Sequence, residues 1–478
     1  MQVTGIGGMV NPDGNICRYP RFGYQYLNDR NRITKPLRKV RGKFKEIGFD
    51  EAIELIVKKI GSVKPGENAF FAGGRLTNEE IYLIGKLARK AAGTGNLGSF
   101  HYLGRGEGYR LNAHLNAPME SIRKASRLYL IGTEINLDHA VTGFMVSNAR
   151  VAGKVPVTLV TRKKKNAMEH KVDRVIRVQS YYDFIQAVNH YLLANGRENG
   201  LFLRDRVQGL EEYRKHLMAV DYSAILSRAG IGAEDLSAFA EEYNKELNAI
   251  ILYSEKEITG HGSIALRNLS MITGKLGKTV NGLISLKEKN NAQGLFDLGI
   301  QTIPGTGNEL LSQGRIRNLF IFGEDPVGCE TGNTYRNLIK AIPFRVVMDY
   351  FLTDTAREAD LVLPASFPAE IGGTFSNTQK VLLEFDAALP SRLGMDSVRQ
   401  LTGILKGFGL NGLNSREEVF REFISQLPKP GEDHPADDLT LVCTSGDSPE
   451  RVFRYGCDSL VKRFEEEFAH VSYPCGTQ

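Results

Sequence analysis

Runs of apolar residues three to six long, separated by amphipathic stretches, set the rhythm of this chain. From about residue 49 the runs Ala69-Phe70-Phe71, Leu128–Ile131, Val155–Val160, Val175–Val178, Ala249–Leu252, Gly282–Leu286, Leu319–Phe322 and Arg345–Met348 read as buried strands. Helical patterns lie between them, including 183–194 and 263–276. Thr77-Asn78-Glu79-Glu80 is a capping box: the threonine hydroxyl accepts from the Glu80 N–H while the Glu80 carboxylate reaches back. The helix it opens is expected to run to about Ala92 and stop at Gly93. Val40-Arg41-Gly42-Lys43-Phe44 reads as a hairpin. After about residue 395 the pattern thins. Ser415–Leu427 is expected as a capped helix, 428–441 as a Pro/Gly/Asp-rich linker and Glu450–Phe468 as an amphipathic helix. No repeat or low-complexity tract is apparent in the sequence.

Strands alternating with helices predict an α/β protein built on two Rossmann-like, doubly wound, mostly parallel sheets, with a small N-terminal β segment. The expected divisions are an N-terminal β segment (1–48), a discontinuous α/β domain (49–120 plus 300–427), a second Rossmann-like domain (121–299) and a linker with a helical tail (428–478). Ligands of such sheets sit beyond the carboxyl ends of the strands. The loops to inspect are therefore Gly73-Gly74-Arg75, Gly132-Thr133-Glu134 and Gly323-Glu324-Asp325-Pro326.

Composition narrows the class. With 42% hydrophobic and 24% charged residues over 478 positions, the chain is neither disordered nor a disulfide scaffold. No segment approaches the length of a membrane span, and no leader pattern opens it. A net charge of +6 is too dilute to imply nucleic acid, although the run from Lys35 to Lys45 is basic enough to suggest docking to an acidic partner. The scattered cysteines at 17, 329, 443, 457 and 475 form no CxxC pair, which fits a reducing, cytoplasmic setting and argues against a cluster built wholly in this chain.

Several ordered motifs then converge. They are Asn15-Ile16-Cys17 with Arg32–Leu37, Arg75–Glu80 through Gly93-Thr94-Gly95-Asn96, and Asn290–Gly294 with Asp297-Leu298-Gly299. Further along come Gly323–Pro326, Asp349–Ala356, Ala359–Ala365 and Glu370–Asn377. Together the set resembles the molybdopterin oxidoreductase superfamily, especially formate dehydrogenase catalytic subunits. It also resembles the degenerate copy of that body in the large iron–sulfur subunit of NADH:quinone oxidoreductase (complex I). The resemblance implies two pterin guanine dinucleotides holding molybdenum or tungsten between two halves. It maps their contacts onto Thr133, Glu134, Asn291, Gly323, Glu324, Asp349, Thr353, Glu370 and Asn377. The same residues can be read as strand ends and helix caps, as can Asp325 and Asp354.

The departures from the family pattern set the functional expectation. The position of the metal-ligating Cys, selenocysteine or Ser falls at about Gly104, and that of the following His at Arg105; His101 lies three residues upstream. Of the four cysteines of the family's iron–sulfur cluster only Cys17 has a counterpart, and the Lys two residues on is Tyr19. The cofactor loops read Thr161-Arg162-Lys163, Ser180-Tyr181-Tyr182-Asp183 and Lys287-Glu288-Lys289, with larger or basic residues where the family has small or acidic ones. The stretch after Gln400 is too short for the family's closing β-barrel. The expectation is a non-catalytic scaffold subunit with no bound cofactor and no catalytic or metal-ligating residue, Cys17 serving only if a cluster is shared across chains. Its partners would be iron–sulfur and flavin/NAD-binding subunits of a larger electron-transfer complex. Two alternatives stay open: an active molybdenum or tungsten bis-pterin oxidoreductase completed by partner chains, and a metal-free nucleotide binder.

Overall fold

The computed structural model describes residues 5–8, 10–113, 115–300, 308–330, 332–426 and 439–448. Two sheets organise it. The first has seven strands in the order Lys43–Glu46, Leu37–Val40, Leu361–Pro364, Phe344–Asp349, Asn318–Phe322, Asn68–Ala72, Leu97–Gly98. The five strands from Leu361–Pro364 to Leu97–Gly98 pair in parallel, while the 37–46 hairpin adds antiparallel at the other edge. The hairpin turns on Arg41 and Gly42, at φ +49° and +78°, the left-handed pair that a two-residue turn between twisted strands requires. The second sheet is wholly parallel, in the order Gly282–Leu286, Ala249–Ser254, Arg127–Ile131, Val157–Thr161, Arg174–Arg177. This is the mixed α/β, parallel-dominated architecture the pattern predicts, and among the described residues no sheet closes into a barrel.

Burial explains the strand readings. Asn68–Ala72, Val157–Thr161, Ala249–Ser254 and Asn318–Phe322 are buried at every position. That is why they read as continuous apolar runs rather than as alternation. Helices cover both faces of each sheet. In the first, Phe70, Phe320 and Met348 pack one way and Phe71, Ile321 and Val347 the other. In the second, Tyr129, Ile251 and Tyr253 pack against one cluster and Leu128, Ile250 and Leu252 against the opposite one.

Four features refine or depart from the sequence reading. The helix begun at Thr77 is α-helical over Asn78–Lys86 and relaxes into a π turn at Leu87–Ala91 before Gly93. Leu361–Pro364 is a strand of the first sheet, and Gly373–Ser376 with Leu382–Phe385 forms a separate hairpin. Helices Leu210–Met218, Tyr222–Ala229 and Ala233–Lys245 fill the interval between two strands of the second sheet. The expected linker ends in structure: Leu439–Thr440 pairs with Val207–Gln208, and Leu439 and Leu441 enter the second sheet's core. Most of that linker and the expected helix Glu450–Phe468 lie outside the described residues. The 415–427 expectation appears as Arg416–Gln426, with the Ser415 hydroxyl accepting from the Glu418 N–H at 3.2 Å.

Candidate functional site

The carboxyl ends of both sheets face a common region, and its side chains answer one another. Gly323 leaves its strand at φ +66°, where a Cβ would stand 3.0 Å from Leu76. Glu324 is buried behind it and accepts from the Ser99 hydroxyl (2.6 Å) and the Phe100 and His101 N–H groups (2.9 and 3.1 Å). Burial pushes its carboxyl up to about 7. Asp325 caps Pro326–Cys329 and also receives the Thr355 hydroxyl at 2.7 Å. Asp349 is fully buried against Arg75, 2.7 Å away, whose guanidinium lies 4.9 Å from the Tyr350 ring. Thr353 caps the helix Asp354–Glu358 through the Ala356 N–H, so Asp354 is the first helical residue rather than the cap.

Two further positions are likewise engaged within the chain. Glu370 pairs with Arg32 through both carboxylate oxygens, and that guanidinium lies 4.1 Å from the Phe367 ring. Asn291 donates to Leu76 O (2.8 Å) and Asn78 Oδ1 (3.0 Å) and accepts from Ser376 N–H (2.8 Å). It pins three separate chain segments together. Asn377 accepts from the Gln379 and Val381 N–H groups, both at 3.0 Å, and its buried amide nitrogen has no partner among the described residues.

The metal-ligand position expected from the sequence lies in the middle of this region. Gly104 adopts φ +74°. The Arg105 side chain turns inward, with its guanidinium 5.6 and 5.3 Å from the rings of Tyr102 and Tyr109. It donates to Glu255 O (3.0 Å) and His101 O (2.9 Å) and lies 3.7 Å from the Glu288 carboxylate. His101 faces the same carboxylate at 3.9 Å. Beside it, Glu255 is enclosed at 1% exposure. It accepts from Lys287 Nζ (2.9 Å), the Ser285 hydroxyl (2.7 Å) and the Tyr102 hydroxyl (2.8 Å). Burial alone would raise its carboxyl; the Lys287 charge and the three donors outweigh that and hold it below the usual carboxylate range. The donor set does not fit a soft metal centre. It offers one imidazole, already facing a carboxylate, with no thiolate, and its centre is filled by a guanidinium. Among the described residues no three His, Cys, Asp or Glu side chains gather as a metal would need.

The second sheet contributes an open cleft of about 480 Å³, lined among others by Arg105, Arg162, Lys163, Tyr181, Glu257 and Gly260. Glu134 and Glu257 both bind Lys163, the latter at 3.0 Å. Thr133 is buried, and its hydroxyl has no partner. The returning chain packs beside it: the Ser448 hydroxyl accepts from the His261 N–H (3.0 Å), and Thr259 hydrogen-bonds Asp447 at the start of the helix Gly260–Ile272. Cys17 sits apart as a half-buried free thiol at the start of Arg18–Phe22.

Arg75, Arg32, Tyr102, Glu255 and Lys287 were not singled out for these contacts by sequence reading. A signal existed for Glu255, a carboxylate directly after the apolar run Ala249–Ser254, where a strand's carboxyl end is due. None existed for the arginines, whose partners lie 274 and 338 residues away.

Comparison with known proteins places this geometry. The F420-dependent formate dehydrogenase 2 subunit alpha of Methanococcus maripaludis is 28% identical over 466 residues, covering 87% of this chain and 68% of that protein. Proteins of Staphylococcus aureus carrying the name formate dehydrogenase are 28% identical over 431 residues; 78% of this chain matches only 43% of theirs. Among solved structures, the acetylene hydratase of Pelobacter acetylenicus superposes with a TM-score of 0.70 at 14% identity, over 90% of this chain and 72% of that one, and so shares the fold. The molybdopterin oxidoreductase family profile matches residues 32–394. This chain belongs to the molybdopterin oxidoreductase family.

Proposed function

We propose that the chain is a catalytically silent scaffold subunit of a multi-subunit, NAD-linked electron-transfer complex in the cytoplasm. One observation carries the reading: beside Gly104, about where the family's spacing puts its metal ligand, the inward-turned Arg105 occupies the space with Glu288 and His101. A molybdenum or tungsten bis-pterin group needs that space open and a soft ligand in it. In this reading Thr133, Glu134, Asn291, Gly323, Glu324, Asp349, Thr353, Glu370 and Asn377 are vestiges of dinucleotide contacts. Most have turned to bracing the fold, as the Arg75–Asp349 and Arg32–Glu370 pairs suggest. The two units would divide at 49–120 plus 300–427 and 121–299, each around one sheet. Electron transfer would belong to iron–sulfur and flavin/NAD-binding partner subunits.

The test is elemental analysis of the complex purified from its native host, with molybdenum, tungsten and iron counted per copy of this chain. Less than about 0.1 molybdenum or tungsten, with iron assigned to partner subunits, is expected. Near one per chain would overturn the proposal. It would favour the second reading, an active molybdenum or tungsten oxidoreductase completed by partner chains, to which the formate dehydrogenase relatives and the cation-lined cleft lend support.

A further inference from the structure

We infer that the outer edge of the N-terminal hairpin receives an extended acidic segment of a partner polypeptide by strand addition. Residues 35–46 hold six cations and one carboxylate, a net +5 against +6 for the whole chain. Lys35 pairs with Glu46 and Arg38 with Glu51, both exposed, whereas Arg41, Lys43 and Lys45 have no carboxylate partner among the described residues. Among the described residues Lys43–Glu46 is the terminal strand of the seven-stranded sheet, with no strand on its outer side.

The register identifies which groups are open. Lys39 gives its N–H to Asp360, toward the sheet interior, and Ile47 gives its N–H to Pro36. With Val40 opposite Lys43 and Arg38 opposite Lys45, alternation points the backbone groups of Lys43 and Lys45 inward and those of Phe44 and Glu46 outward. The Lys43 and Lys45 side chains share one face, about 6.8 Å apart, the spacing of carboxylates at alternate positions of an extended peptide. Lysines on a sheet edge repel a second copy of the same edge and resist apolar strands. An acidic strand is the partner they admit, since cross-strand opposite charges attract and the backbone supplies the hydrogen bonds. The inference is independent of whether the chain is catalytic.

The test uses the full chain and a labelled 12-residue peptide of alternating Glu and Val, with affinity measured by fluorescence anisotropy at low salt. Lys43→Glu/Lys45→Glu is expected to weaken binding at least about 10-fold. Glu46→Pro removes an outward N–H while making the edge more positive, and proline is tolerated at such edge positions. It is expected to weaken binding at least about 5-fold. In the wild type, peptide should slow hydrogen exchange at the Phe44 and Glu46 amides, a readout that does not depend on either variant folding. No binding, unchanged or tighter binding by Glu46→Pro, or unprotected Phe44 and Glu46 amides would each overturn the inference. So would tighter binding of a 12-nucleotide single-stranded DNA or of phosphatidylserine vesicles, which would make the edge a general polyanion surface.

Discussion

Replacing Lys287 with methionine removes the cation that neutralises Glu255 while keeping most of the side-chain volume. The Nζ–Oε1 distance is 2.9 Å, and the two side chains are 5% and 0% exposed. At an effective dielectric constant of about 20, two unit charges at that separation attract by about 6 kcal/mol. The measured penalty should be smaller, because Ser285 and Tyr102 still donate to the carboxylate. Breaking a buried pair by removing one partner costs about 3–5 kcal/mol, most of it the stranded charge. Glu255→Gln in the Lys287→Met background removes that charge and should recover more than half of the loss, so that the double variant is far more stable than the sum of the two singles in a double-mutant cycle. The chain has 18 tyrosines and no tryptophan, so equilibrium urea unfolding is best followed by tyrosine fluorescence and near-ultraviolet circular dichroism at pH 7.5. The single variant should also lose less at pH 5 than at pH 8, since a buried carboxylate without its cation regains a proton as the pH falls. A loss below about 1 kcal/mol for Lys287→Met, or a double variant as unstable as the two singles added, would refute the claim that Lys287 neutralises a buried Glu255 charge.

Glu324 sets a pH dependence of known sign. Burial raises its folded value to about 7 against 4.5 for the free group. The folded chain thus holds the proton more tightly, and stability declines as pH climbs from about 4.5 to 7. Glu324→Gln should flatten the slope of melting temperature between pH 5 and 8, and Glu80, also raised to about 7 by burial, should account for much of the slope that remains. Thr77→Ala deletes the cap that accepts from the Glu80 N–H at 3.3 Å; it should cost about 1–2 kcal/mol in urea unfolding.

Legibility in the sequence followed physical range. Strands buried on both faces announce themselves as unbroken apolar runs, and the Thr77–Glu80 box is a contact three residues long; both are found where expected. Leu361–Pro364 lies inside the motif Ala359–Ala365 but carries no strand signature of its own. Four residues ending in proline carry little periodicity, and only pairing with Phe344–Asp349 decides the matter. The site was legible as a set of loops. That Arg75 would answer Asp349 and Arg32 would answer Glu370 was not, because nothing local links arginines to carboxylates hundreds of residues away. Gly104 and Arg105 could be named from spacing, but the inward turn of Arg105 depends on the Tyr102 and Tyr109 rings and on Glu288 from the other sheet.

The order of strands in the first sheet also bears on how the chain is made. Asn68–Ala72 is flanked by Leu97–Gly98 and by Asn318–Phe322. At about 5–20 residues per second of synthesis, the second neighbour leaves the ribosome roughly 10–50 s after the first. Meanwhile all five strands of the other sheet, from Arg127 to Leu286, have emerged. The second sheet can therefore form while the first is still half a sheet with an open apolar edge. A chaperone acting on the nascent chain should engage that edge around residue 72 and release it once Phe322 has emerged.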